Sequence, residues 1–138
     1  MVDPKYRWLL ERGAEGEVYT FPETSDRGIS DALAMPYAAL YDNDDESCIW
    51  SIGEPDRRII EVRTFPDGGK AFHGVVSKPA TDGPKTTIQA DGHLFEIPAD
   101  EVLTRADAES VFREFWRSKS LPPGFRIVEK AYLFGPGT

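Results

Sequence analysis

Short apolar segments alternate with breaks marked by glycine and proline along most of the chain, the pattern of a compact β-rich domain. Residues 59–65 show it best: Ile60, Val62 and Thr64 fall on one side, Glu61 and Arg63 on the other, the period-two pattern of a half-buried strand. Residues 71–76 form the next run. The intervening Pro66-Asp67-Gly68-Gly69 predicts a hairpin turn, because proline presets the first turn angle and glycine accepts a positive φ. Residues 86–89 and 93–97 flank Asp91-Gly92, a second hairpin signal. Residues 48–52 are β-branched and aromatic and read as a strand. Residues 6–10 and 17–21 read as two more, around the Gly13-Ala14-Glu15-Gly16 turn. Residues 29–40 carry alanines and leucines suited to a helix, but Pro36 would break it. Residues 78–84, with two prolines and a glycine, are expected to cover one end of the sheet.

One helix is clearly marked, over about 104–119. Thr104 and Asp107 have the spacing of a capping box, and Asp107 and Glu109 favour the positive end of the helix dipole. Val111, Phe112, Phe115 and Trp116 fall on one stripe, expected to face inward, with Arg113, Glu114 and Arg117 away from it. Lys119 suits the last turn, and Leu121-Pro122-Pro123-Gly124 stops the helix. Residues 125–134 read as a long final strand. The expected fold is α+β: a curved antiparallel sheet of about five to seven strands with the 104–119 helix packed on one face.

Composition narrows the function classes. The chain has 138 residues, near the size of one domain, so 1–138 is expected to form a single globular unit. Its 24 acidic residues outnumber 16 basic ones, a net charge of −8 that argues against sequence-independent nucleic-acid binding and suits a basic protein partner. One cysteine excludes an intramolecular disulfide, and with two histidines it cannot complete a Cys/His zinc site. No apolar run approaches a membrane span and no signal-like segment follows Met1, so a soluble, cytoplasmic protein without membrane contact is expected.

Candidate chemistry is sparse. Cys48 sits inside a strand, where a free cysteine is ordinarily a small buried hydrophobe; His73 or His93 would have to lower its pKa for it to act as a nucleophile. The two histidines lie in different hairpins and read as half-exposed strand residues rather than metal ligands. The run Asp42-Asn43-Asp44-Asp45-Glu46 is not an EF-hand loop: Ser47 stands where glycine is needed and Gly53 where a bidentate glutamate is needed. Two readings of it stay open, a solvated turn or a negative patch that docks on a basic surface. In the second, Asp42, Asp44, Asp45 and Glu46 form the contact and Trp50 is an apolar anchor beside them. There is no phosphate-cradling glycine loop, no nucleophile elbow and no RNA-binding aromatic motif; no enzyme activity, metal or cofactor is expected.

The stretch 96–130, EIPADEVLTRADAESVFREFWRSKSLPPGFRIVEK, resembles the closing segment of the immunity protein 1 family of bacterial polymorphic toxin systems. The likeness rests on Ile97-Pro98 at a strand end, Thr104 as cap, and Phe112 with Phe115 and Trp116 on the helix. Ser118 to Ser120, Pro122 and Ile127-Val128 in the last strand complete it. It covers about a quarter of the chain. Many relatives close that strand with tryptophan, whereas here Val128 and Glu129 lead into a tail through Tyr132 and Phe134. The resemblance implies an antitoxin that binds and occludes a cognate toxin domain, basic near its active site, such as a nucleic-acid deaminase or nuclease. A different class also fits the pattern: a non-catalytic ligand-binding or regulatory α+β domain with an apolar pocket between the C-terminal helix and the sheet.

Overall fold

The computed structural model of the protein describes residues 7–12, 17–19, 25–65, 72–79, 84–90 and 93–129. Nine strands, β1 (Trp8–Arg12), β2 (Glu17–Tyr19), β3 (Tyr37–Asp42), β4 (Cys48–Glu54), β5 (Arg57–Thr64), β6 (Phe72–Ser77), β7 (Lys85–Ala90), β8 (His93–Pro98) and β9 (Arg126–Glu129), accompany helices α1 (Asp26–Ala32) and α2 (Arg105–Ser118). Seven strands form one antiparallel sheet in the order β2-β1-β3-β4-β5-β6-β9, and β7 pairs with β8 as a separate ribbon. The fold is α+β.

Strand alternation sorts the large sheet into two faces. The registers Leu10↔Leu40, Leu40↔Ile49 and Ile49↔Val62 put these residues on one face with Ile60 and Val76. Against that face pack Ile29, Ala32 and Leu33 from α1 and its end, and Ala108, Val111, Phe112 and Phe115 from α2. The expected inward stripe is therefore present for Val111, Phe112 and Phe115, all essentially inaccessible. Trp116 departs from it: it is only half-buried and lies against the edge of the core, because it stands about 140° around the helix from Val111, at the margin of the stripe. Ala108, one turn earlier, takes the inward place. These α2 side chains share one buried cluster with the sheet residues Leu10, Leu40, Ile49, Ile60, Val62 and Val76.

Local chemistry explains the helix limits. Thr104 Oγ1 accepts the Asp107 N–H at 3.1 Å, and Asp107 Oδ2 accepts the Thr104 N–H at 3.2 Å, a reciprocal capping box. Ser25 caps α1 by accepting the Gly28 N–H at 3.1 Å. This helix ends before Pro36, and residues 37–40, provisionally grouped with it, belong to β3 instead. The proline break is real; the alanines beyond it are small residues of a crowded strand.

Two close approaches depend on glycine. A Cβ at Gly74 would stand 2.4 Å from Ile127 Cγ2 and 2.7 Å from the Val128 carbonyl oxygen, so β9 can approach β6 this closely only with glycine at that position. Gly53, at φ +137°, bends β4 toward the turn into β5. Arg58 locks the same corner. It is fully buried, yet donates to Ser51 Oγ at 2.6 Å and to the carbonyls of Glu54 and Met35 at 3.2 and 2.7 Å. Burial, helped by the charge of Arg105, lowers its pKa to about 10.

On the opposite face the β7–β8 ribbon lays Ile88 and Ile97 against Ile59 and Val75. The last strand ends at Glu129 within the described residues; the remainder of the segment 125–134, the turns at Gly13-Ala14-Glu15-Gly16, Pro66-Asp67-Gly68-Gly69 and Asp91-Gly92, and most of the 78–84 loop lie outside them.

Candidate functional site

The acidic run is the turn between β3 and β4, and the structure divides its four acids into two kinds. Asp42 is the last residue of β3 and shares the helix-side face with Leu40, opposite Trp8 of β1. Its side chain is fully inaccessible. Arg7 grips it with two hydrogen bonds, Nε to Oδ1 at 3.0 Å and Nη2 to Oδ2 at 2.8 Å, while its guanidinium lies 5.6 Å from the Trp8 ring centre. Lys119 also pairs with Asp42, at the Oδ2 that Arg7 Nη2 holds, and with Asp45 as well. It can do so because it ends α2 in a left-handed conformation, φ +56°, at the end of the helix that meets the turn.

These contacts govern the local protonation. Burial would push the Asp42 carboxyl up, but the hydrogen bonds from Arg7 and Lys119 outweigh it and hold the pKa at about 2. Asp45 is lowered for the same reason, burial being outweighed by Lys119 and by the Ser47 amide. Asp42 Oδ1 also accepts the Asp44 N–H at 2.9 Å, and Asp45 Oδ1 the Ser47 N–H at 2.8 Å, so both carboxylates shape the turn they stand in. Asp44 and Glu46 differ: exposed like Asp45, they form no ion pair among the described residues. Glu46 adopts φ +65°, a conformation that favours glycine or asparagine and costs other residues about 1–2 kcal/mol.

Beside the turn, on the sheet face away from the helices, lies an open groove of about 380 Å³ lined by Leu9, Tyr41, Asp42, Asn43, Glu46, Arg63 and Phe65. The β1–β3 register places Leu9 beside Tyr41. The Arg63 guanidinium sits 5.8 Å from the Phe65 ring centre. Tyr41 remains a protonated phenol, its pKa raised by burial, with its oxygen 3.3 Å from that of Tyr37.

The anchor expected at Trp50 is placed differently. Trp50 is fully buried and donates its indole N–H to Glu61 Oε2 at 2.8 Å. Glu61 also faces His73 Nε2 at 3.2 Å, and the imidazole stacks on the indole at 5.7 Å and 14°. Trp50 is thus a buried partner in a polar cluster and offers no surface to a docking protein. Nor is His73 half-exposed; it is buried, because its strand position puts it on the same crowded face.

Cys48 is buried and its thiol is pushed up to about 11 by burial, which disfavours the nucleophilic thiolate. The registers Cys48↔Arg63 and Arg63↔His73 separate Cys48 from His73 by two strand spacings, about 10 Å, so they form no catalytic pair. Among the described residues no three His, Cys, Asp or Glu side chains converge on a metal-sized site, and no helix is long and apolar enough to cross a membrane. The sequence reading found the turn but missed Arg7, Lys119 and the groove residues Tyr41, Arg63 and Phe65. Hairpin register could have placed Tyr41 and Arg63 around Cys48; nothing local marks Arg7 or Lys119 as partners of Asp42.

Compared with known proteins, the chain matches no family model and no curated protein sequence.

Proposed function

We propose that this chain is an immunity protein, an antitoxin that binds a cognate toxin domain and occludes its active site without turnover or cofactor. The observation that carries the reading is the β3–β4 turn: two exposed carboxylates, Asp44 and Glu46, stand on a backbone fixed by two internally paired ones, Asp42 and Asp45. A turn held in shape before encounter loses little freedom on binding, and exposed like charges accelerate association with a basic surface. A toxin that acts on DNA or RNA, a deaminase or nuclease, is basic around its cleft, and a partner of net charge −8 complements it. The likeness of residues 96–130 to the immunity protein 1 family points the same way. The protein would act in the cytoplasm, where the toxin's nucleic-acid targets are.

Co-expression with the toxin domain encoded beside it is the test. Restored growth together with co-purification of the two proteins supports the reading; continued toxicity without association overturns it. A second reading, a non-catalytic ligand-binding domain, draws support from the 380 Å³ groove and not from the buried cluster between helices and sheet. A small molecule retained by the purified protein would favour it.

A further inference from the structure

The groove beside the turn has its own selectivity, and its charges can be followed one by one. Of the acids near it, Asp42 is sealed by Arg7 and Lys119, so its charge is spent inside the protein. Asp45 is held by the same lysine. Arg63, the cation among the described lining residues, is engaged within the chain: its guanidinium lies over Phe65 and its charge acts on the neighbouring Cys48 thiol. Glu46 is the lining carboxylate that is exposed and forms no ion pair among the described residues, and the equally exposed Asp44 stands two residues before it. The remaining wall is the exposed Asn43 and the half-buried Leu9, Tyr41 and Phe65, one aliphatic and two aromatic side chains.

A long apolar stem ending in a planar cation fits such a wall. The stem covers the aliphatic and aromatic surface, the cation meets the carboxylate, and a guanidinium also gains from aromatic neighbours. A volume of 380 Å³ exceeds what one such side chain fills. We infer that this groove is the receptor for an arginine side chain of the protein partner, with the guanidinium on Glu46 and the stem along Leu9, Tyr41 and Phe65. The inference rests on the reading of the protein as an inhibitor of a basic partner and names the group that partner inserts. An anionic side chain directed at Arg63 is the competing occupant; Asp44 and Glu46 repel it.

The experiment uses the full chain, isotope-labelled, titrated with N-acetyl-arginine amide and followed by amide chemical shifts. N-acetyl-norleucine amide and N-acetyl-aspartate amide serve as neutral and anionic probes of comparable size. Shifts confined to residues 41–46 and 63–65 with the arginine probe, weakened about tenfold in Glu46→Gln, are the expected result, tenfold being the scale of one charge-assisted contact. Equal response to the neutral probe, a stronger response to the anionic one, or an unaltered response in Glu46→Gln overturns the inference. Glu46 is exposed and makes no ion pair among the described residues, so the variant keeps the fold. The two readings fail separately. Arginine binding without protection in co-expression would remove the inhibitor and keep the groove. Full protection with no arginine response would remove the groove and keep the inhibitor.

Discussion

The two faces of the large sheet are built by different rules. The face under the helices is mainly apolar across five strands, from Leu10 through Leu40, Ile49 and Ile60 to Val76, with Asp42 and the Arg58–Ser51 pair as its buried polar members, and α1 and α2 pack on it. The other face carries Tyr41, Trp50, Glu61, Arg63 and His73, whose polar atoms need specific partners; the apolar pair Ile59 and Val75 receives the β7–β8 ribbon. One face is packed by the helices and the other carries the polar cluster and the groove, and the β3–β4 turn joins them: Asp42 belongs to the first and also lines the groove, with Tyr41 and Glu46, on the second.

The comparison is sharpest where a side chain is removed from the helix-packed face. Phe112→Ala should cost about 3–5 kcal/mol in a denaturant titration, since the ring is wholly buried among aliphatic neighbours. Trp116→Ala should cost clearly less despite removing a larger ring, because Trp116 is half-exposed. Equal losses would mean that α2 presents a broader face than the packing indicates.

Next in size is the ionic junction between the faces. The Asp42 pKa is depressed to about 2 from 3.8 in the folded protein, so its contribution is fully present above about pH 4 and disappears as pH falls through about 2. The difference corresponds to about 2 kcal/mol, and Asp45 and Asp107, also lowered, add to it in the same direction. Acid unfolding should accordingly steepen below pH 4 in the native chain and lose much of that steepness in Asp42→Asn. A flat profile in both would show that Arg7 and Lys119 do not hold Asp42.

The smallest effect has the opposite sign. Glu46→Gly should stabilise the fold by about 1 kcal/mol, because glycine accepts φ +65° without a clash, while removing the groove's exposed carboxylate. Stability gained together with partner binding lost is the signature of a residue kept in strain for recognition. Stability lost instead would place Glu46 among the structural residues.

The same division explains what the sequence made legible. The α2 helix was readable because its signals are local: the Thr104–Asp107 box, the Val111-Phe112-Phe115 stripe and the prolines after it. The β5 alternation was also read correctly in its sides, yet both sides are covered, and Glu61 is buried. Alternation reports which side a residue faces, not what lies over that side. Asp42 illustrates the limit within one run of four acids. Strand parity continues to Asp42 and turns it toward the helices, and its partners lie 35 residues before it and on the far end of α2. Contacts at such separation leave no periodic trace in the sequence. Trp50 was misplaced by the same logic, since proximity to the acidic run along the chain did not bring it to the surface.

The central claim is that Asp44 and Glu46 form a charged rim that guides a basic partner onto this turn. Rim charges act on encounter, while desolvated contacts set the lifetime of a complex. Stopped-flow association of the chain and of its Asp44→Asn/Glu46→Gln variant with the proposed toxin partner, at two ionic strengths, tests it directly. The account predicts that the variant associates more slowly, with a flatter salt dependence, and that loss of the Glu46 contact adds a faster dissociation. An association rate and salt dependence identical to those of the native chain would contradict it and remove the turn from the binding surface.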